Sequence, residues 1–207
     1  MVALNEEQSN RLLDLFKGTV LEVPVLFALY TGVRRGELLA IRYSDVNFED
    51  RYVTIRQSLE QTSVGLNFKS PKNGKSRTIP LMPPVMEALR RHRACQAGQR
   101  LALGPAYRND DLVFAMEDGS PWKPHAFGDR FRWNVQRCGD LIPHLRLHDV
   151  RHTTATLLRR AGVSIKDVST ILGHSTVSVT ADIYTHTLRD DSAAAMNLLA
   201  TRLEAAR

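Results

Sequence analysis

His148-Asp149-Val150-Arg151-His152, then Gly173-His174, then Tyr184: this order near the end of the chain sets how the other residues are read. A tyrosine phenol is a poor nucleophile at neutral pH, with a pKa of about 10. It becomes useful when cationic and hydrogen-bonding groups surround both it and the electrophile. Two histidines and an arginine precede this one tyrosine within forty residues, a set suited to a phosphate ester. The surrounding pattern is helical, with expected helices from His148 to Ala161, Ser164 to Leu172, Thr176 to Tyr184 and Asp190 to Ala205. Gly162 and Gly173 suit helix C-caps, and Ser164 and Ser175 are placed to N-cap the helices that follow.

Upstream, Asn5-Glu6-Glu7-Gln8 reads as an N-cap with a reciprocal glutamine, followed by the apolar Leu12, Leu13, Leu15 and Phe16. A second apolar helix, about Val20 to Tyr30, breaks at Thr31-Gly32, and a short helix restarts near Arg35 and runs through Ile41. After Ser44-Asp45 the period changes. Val46 to Phe48, Tyr52 to Gln57, Leu66 to Phe68 and Arg77 to Ile79 read as strands separated by turn signals such as Lys72-Asn73-Gly74. Helix returns from Pro83 to about Leu101, a short strand is expected at Leu112 to Ala115, and another helix starts at Pro124. The fold class is therefore α+β, mainly α-helical, with a small antiparallel sheet near residues 46–80. One domain over residues 1–207 is expected, since no repeat, linker or low-complexity segment divides the chain.

The chain has 207 residues, 43% of them hydrophobic, a net charge of +6 and a pI near 9.6, which favours a polyanionic partner. Between Lys69 and Arg100 eight cations stand against Glu87 alone, leaving the rest of the chain nearly neutral. Charge concentrated that way reads as a binding face. Cys95 and Cys138 form no Cys-x-x-Cys pair, which argues for a reducing compartment without disulfides. The longest apolar run, Val23 to Tyr30, is too short to span a bilayer, and no signal peptide opens the chain, so a cytoplasmic location is expected.

Thr31-Gly32-Val33-Arg34-Arg35-Gly36-Glu37, Pro71-Lys72-Asn73-Gly74-Lys75 with Arg77-Thr78-Ile79-Pro80-Leu81, and Leu147-His148-Asp149-Val150-Arg151-His152 follow one another in order. Leu172-Gly173-His174-Ser175 and Ile183-Tyr184-Thr185-His186 complete the series. Together these strings resemble the catalytic domain of the tyrosine recombinase (phage integrase) family over nearly the whole length. The resemblance implies that Tyr184 attacks a scissile DNA phosphate, giving a 3′-phosphotyrosine and a free 5′-hydroxyl, with no metal, cofactor or ATP. Arg34 and Arg151 would grip the non-bridging oxygens, because guanidinium forks match that geometry. Lys72 would protonate the leaving oxygen, His148 would act as general base or phosphate ligand, and His174 would hydrogen-bond the phosphate.

Several neighbours compete for these roles. The family spacing selects Arg34 over Arg35, which is left as a surface residue, and the offset to Pro80 selects Lys72 over Lys69 and Lys75. Glu37 either fixes an arginine or simply favours a helix start. His152 is one turn from His148, but the zinc motif this suggests lacks its glutamate and a third ligand; His144, His152 and His186 are read as supporting or surface groups. Tyr30 and Tyr52 are expected in the core, and Tyr43 and Tyr107 lack His/Arg company. Arg42, Lys69, Lys75, Arg130 and Arg132 are candidate phosphate contacts. The implied partner is double-stranded DNA, bound by a homo-oligomer (tetramer), with no membrane involved. The Asp190–Ala205 helix packs either on its own domain or on a neighbouring protomer. Family members carry an N-terminal DNA-clamping domain, so this chain is expected to be an isolated catalytic domain. Two alternatives stay open: a non-catalytic helix-turn-helix DNA-binding regulator, read from Leu157 to Tyr184, and a type IB topoisomerase-like strand transferase.

Overall fold

The computed structural model describes residues 2–70, 76–137 and 142–173. Helix α1 (Glu6–Phe16) starts as expected: the Asn5 side chain accepts from the Gln8 backbone at 2.8 Å, and the Gln8 side chain accepts from the Asn5 backbone at 3.0 Å. Helix α2 (Glu22–Thr31) is capped by Gly32 in the left-handed conformation, and α3 (Arg35–Leu38) follows after a three-residue gap. Five short strands come next: β1 (Val46–Asn47), β2 (Tyr52–Ile55), β3 (Ser58–Gln61), β4 (Leu66–Lys69) and β5 (Arg77–Pro80). The α-helices that follow are α4 (Pro83–Leu103), α5 (Pro124–Gln136), α6 (Leu147–Arg160) and α7 (Ile165–Leu172).

The α+β class, mainly helical, holds, but the single sheet expected over residues 46–80 is two. Strands β1, β2 and β5 form one antiparallel sheet in that order, with Val53 opposite Ile79 and Ile55 opposite Arg77. Strands β3 and β4 form a separate hairpin, Leu59 opposite Phe68. The expected strand Tyr52 to Gln57 stops at Ile55 because pairing moves to a new partner. In β3 only Leu59 is apolar and buried, so its sequence carries no alternation to announce it. The segment Leu112 to Ala115 is buried like a strand yet forms only isolated bridges, Arg42 to Leu112 and Ala115 to Pro121. Helix α3 spans four residues rather than reaching Ile41, since Leu39, Ala40 and Ile41 continue as a buried loop.

The core is built where the apolar faces meet. Phe16 of α1 stacks on Phe131 of α5 with ring centroids 5.1 Å apart, and Phe27 of α2 meets Phe114 edge-on. Thr154 of α6 donates to the Leu29 carbonyl at 2.7 Å, fastening α6 along α2. A small satellite of Ala155, Val168 and Leu172 seats α7 on α6. Tyr30, expected in the core, is 43% exposed, because the faces of α2 that pack inward are those of Val25, Ala28 and Leu29. Tyr52 is half-buried, its hydroxyl accepting from Asn47. No helix among the described residues is long and apolar enough to cross a membrane. The expected helices at Thr176 to Tyr184 and Asp190 to Ala205, and the Ser175 cap, lie outside the described residues, as do Cys138 and His186.

Candidate active site

Two glycines let neighbouring elements approach closely. A Cβ on Gly32 would run into Leu172 and Thr154, and the backbone there has φ +62°. A Cβ on Gly36 would lie 2.5 Å from the Ser58 hydroxyl and 2.6 Å from the Leu59 carbonyl, so α3 rests directly on β3. Between them Arg34 caps α3, its backbone N–H donating to the Glu37 carboxylate at 2.8 Å. The same device recurs where α6 begins: the Arg146 backbone donates to Asp149 at 3.0 Å, and its guanidinium donates to both oxygens of that carboxylate. Both acids are buried to 2% exposure, while the arginines reach outward.

Helix α7 ends where three arginines meet. Its last carbonyls have no partner within the helix and carry the negative end of its dipole. The Ile171 carbonyl accepts from Arg77 Nε at 3.0 Å, the Leu172 carbonyl from Arg151 Nη2 at 2.8 Å, and the Gly173 carbonyl from Arg34 Nη2 at 3.0 Å. Arg151 also donates to the Gly32 carbonyl at 2.7 Å, tying the end of α2 to the end of α7. Glu37 lies between Arg34 Nη1 at 3.0 Å and the Arg77 fork at 3.0 and 2.7 Å. Burial pushes the Glu37 carboxyl up, but the Arg77 hydrogen bonds and charge, together with Arg34, hold it below the usual carboxylate range.

Arg34 faces an open groove of about 660 Å³, shared with Arg35, Lys69, Arg132, Arg146 and His148 and with the acids Glu60 and Asp129. His148 meets His152 edge-to-face, with centroids 4.7 Å apart. Partial desolvation of its ring, then the charge of Arg151, lowers the His148 pKa against the opposing pull of Asp149. His152 is buried with its Nε2 unpartnered among the described residues, and burial followed by His148 pushes its pKa down to about 4. Both rings are therefore neutral at pH 7, and a neutral imidazole can take a proton.

Of the residues singled out in the sequence, Arg34, His148 and Arg151 converge here, whereas Lys72, His174, Tyr184 and Lys75 lie outside the described residues. Lys69, paired with Glu60 at 2.5 Å, and Arg132, paired with Asp129, line the groove. Arg42 does not: it donates to the Asp110 carbonyl at 2.6 Å and covers the Phe68 ring. Arg130 lies over Trp133 and lines a different hollow, beside Trp122. The basic stretch from Lys69 to Arg100 is likewise not one face, since Arg77 is enclosed against Glu37 and Arg93 covers the rings of Tyr43 and Phe48. Arg35, read as an ordinary surface residue, borders the groove.

Arg77 and Arg146 received no role from sequence, although signals for both were present. Alternation along β5 puts Arg77 on the inward face with Ile79, and an inward arginine requires an acid. The spacing Arg146-x-x-Asp149 repeats Arg34-x-x-Glu37.

A groove-facing guanidinium, a buried one behind it and a neutral imidazole beside a basic groove suit charge stabilisation at a phosphate. The model of the phage integrase family matches residues 3–190. The chain belongs to that family. A tyrosine recombinase XerC-like protein of Caldanaerobacter subterraneus is 32% identical over 89% of this chain and 50% of its own length. The transposase from transposon Tn916 of Enterococcus faecalis is 27% identical over 95% of this chain and 50% of its own length. The chain thus spans about half the length of either relative. The integrase of transposon Tn1549, solved in complex with transposon right end DNA, superposes with a TM-score of 0.81 at 24% identity, covering 96% of this chain and 66% of that one. In this integrase-family chain the Gly32–Glu37 turn, the start of α6 and the end of α7 are therefore brought together by the fold that the likeness describes.

Proposed function

We propose that this chain is the catalytic domain of a site-specific DNA recombinase that cleaves and rejoins strands through a 3′-phosphotyrosine. The observation that carries the reading is the meeting of Arg34 and Arg151 at the end of α7, one residue before His174 in sequence, with His148 lining the same groove as Arg34. Tyr184 Oη attacks the scissile phosphorus, the phosphorus–O5′ bond breaks, and Lys72 delivers a proton to the leaving oxygen. His148, neutral at pH 7, takes the Tyr184 proton or donates to the phosphate, and His174 hydrogen-bonds it. Arg34 and Arg151 balance the extra negative charge of the pentacoordinate transition state. The bond energy stays in the phosphotyrosine, so a second strand's hydroxyl reverses the step without ATP.

Double-stranded DNA is the proposed partner, with four copies joining two sites. The DNA named with the Tn1549 structure and the cationic lining of the groove support the first part of this. The test is covalency on a nicked suicide duplex. The wild-type chain should leave a denaturation-resistant protein–DNA adduct, and Tyr184→Phe should leave none. An adduct formed by Tyr184→Phe would remove Tyr184 from the role. DNA binding without any adduct from wild type would favour a regulator instead.

A further inference from the structure

Arg77 opens β5, and its side chain is 14% exposed behind Glu37 rather than on the groove. All three of its nitrogens donate: Nη1 and Nη2 to the two Glu37 oxygens, and Nε to the Ile171 carbonyl. Glu37 in turn accepts from the backbone and side chain of Arg34. Arg34 closes the circuit on Gly173, two residues beyond the carbonyl that Arg77 holds. Three elements distant in sequence, β5, α3 and α7, are thus locked by one buried carboxylate and two arginines.

We infer that Arg77 is a positioning residue that fixes Arg34 through Glu37 and holds the end of α7 through Ile171. This rests on the proposed role of Arg34 at a phosphate. The physical reason is competition for one carboxylate. With Arg77 present, the Arg34 fork is divided between Glu37 and Gly173 and keeps an edge toward the groove. Without Arg77, Arg34 becomes, among the described residues, the remaining counter-ion of a buried anion and its fork is drawn inward. Only an arginine fills the place, because a lysine ammonium cannot span two carboxylate oxygens and a carbonyl in one plane.

The test is Arg77→Lys, which keeps a cation beside Glu37 and so favours folding. On a suicide duplex carrying a site recovered from trapped DNA, single-turnover adduct formation should slow about 10- to 100-fold. DNA affinity should stay within about twofold, and in an Arg34→Lys background the same change should cost less than about twofold more. A rate within twofold of wild type, or an undiminished penalty in that background, would overturn the inference, since a merely structural loss multiplies with the Arg34 change. A second arm needs no DNA. In the neutral double variant Glu37→Gln/Arg77→Gln, hydrogen exchange at the last amides of α7 should quicken at least about tenfold; unchanged protection there sinks the α7 half of the inference. Should wild type form no adduct on any DNA, the proposed function fails, and the exchange arm still judges Arg77.

Discussion

Arg34 shows 40% of its side chain to the groove, whereas Arg151 is 3% exposed and donates to two backbone carbonyls that end α2 and α7. The two arginines proposed for one phosphate should therefore fail differently. Arg34→Ala is expected to slow adduct formation about 10²- to 10³-fold, with Arg77 left as a counter-ion for the buried Glu37. Arg151→Gln should in addition cost about 3 kcal/mol in urea unfolding, because it strands buried carbonyls. His152 adds a pH dependence whose sign follows from its depressed pKa. The unfolded ring takes up a proton near its ordinary value of 6.5, the folded ring only near 4, so stability is full above 6.5 and declines as pH falls toward 4. Of the neighbouring side chains that act on that ring, His148 and Arg151 oppose the proton and Asp149 favours it. His152→Leu should flatten the decline, read from urea midpoints across that window; an unchanged slope would mean that another group causes it.

Among the elements, α7 is short, eight residues, and is held at both ends by named contacts. Ser164 caps its start by accepting from the Asp167 backbone at 3.1 Å, and the arginines cap its finish. A helix this short is marginal alone, so Ser164→Ala should lower stability by about 1 kcal/mol. The packing of α3 on β3 is tighter still. Gly36→Ala would press a methyl onto the Leu59 carbonyl and is expected to cost about 1–3 kcal/mol; a melting temperature equal to wild type would show that α3 can shift away. Helices α1, α4, α5 and α6 were legible because their caps, Pro83 and Pro124 starts and apolar faces lie within a few residues of one another. Strand β3 was not, because Ser58-Leu59-Glu60-Gln61 becomes a strand only by pairing with Leu66–Lys69.

For the molecule as a whole, cations count by the face they share rather than by their place in the chain. Arg35, Lys69, Arg132 and Arg146 line the groove with Arg34 and His148, while Arg42 and Arg130 turn elsewhere. DNA affinity should therefore fall steeply with salt, and Arg146→Ala and Arg35→Ala should each reduce the slope of log K against log salt by about 1. Arg42→Ala and Arg130→Ala should leave that slope unchanged in a fluorescence titration. A slope lost at Arg130 and kept at Arg146 would put the DNA on the other side of α5.

The sequence by itself determined the family, the α+β class, the helix caps and the candidates Arg34, His148 and Arg151, since each rests on side-chain type and spacing within a short window. Tertiary structure alone decided what those side chains touch. Arg77 meets Glu37 across 40 residues and Ile171 across 94, and Arg34 reaches Gly173 across 139. A buried carboxylate must find cations wherever the chain folds them to it, and no local pattern records which ones arrive.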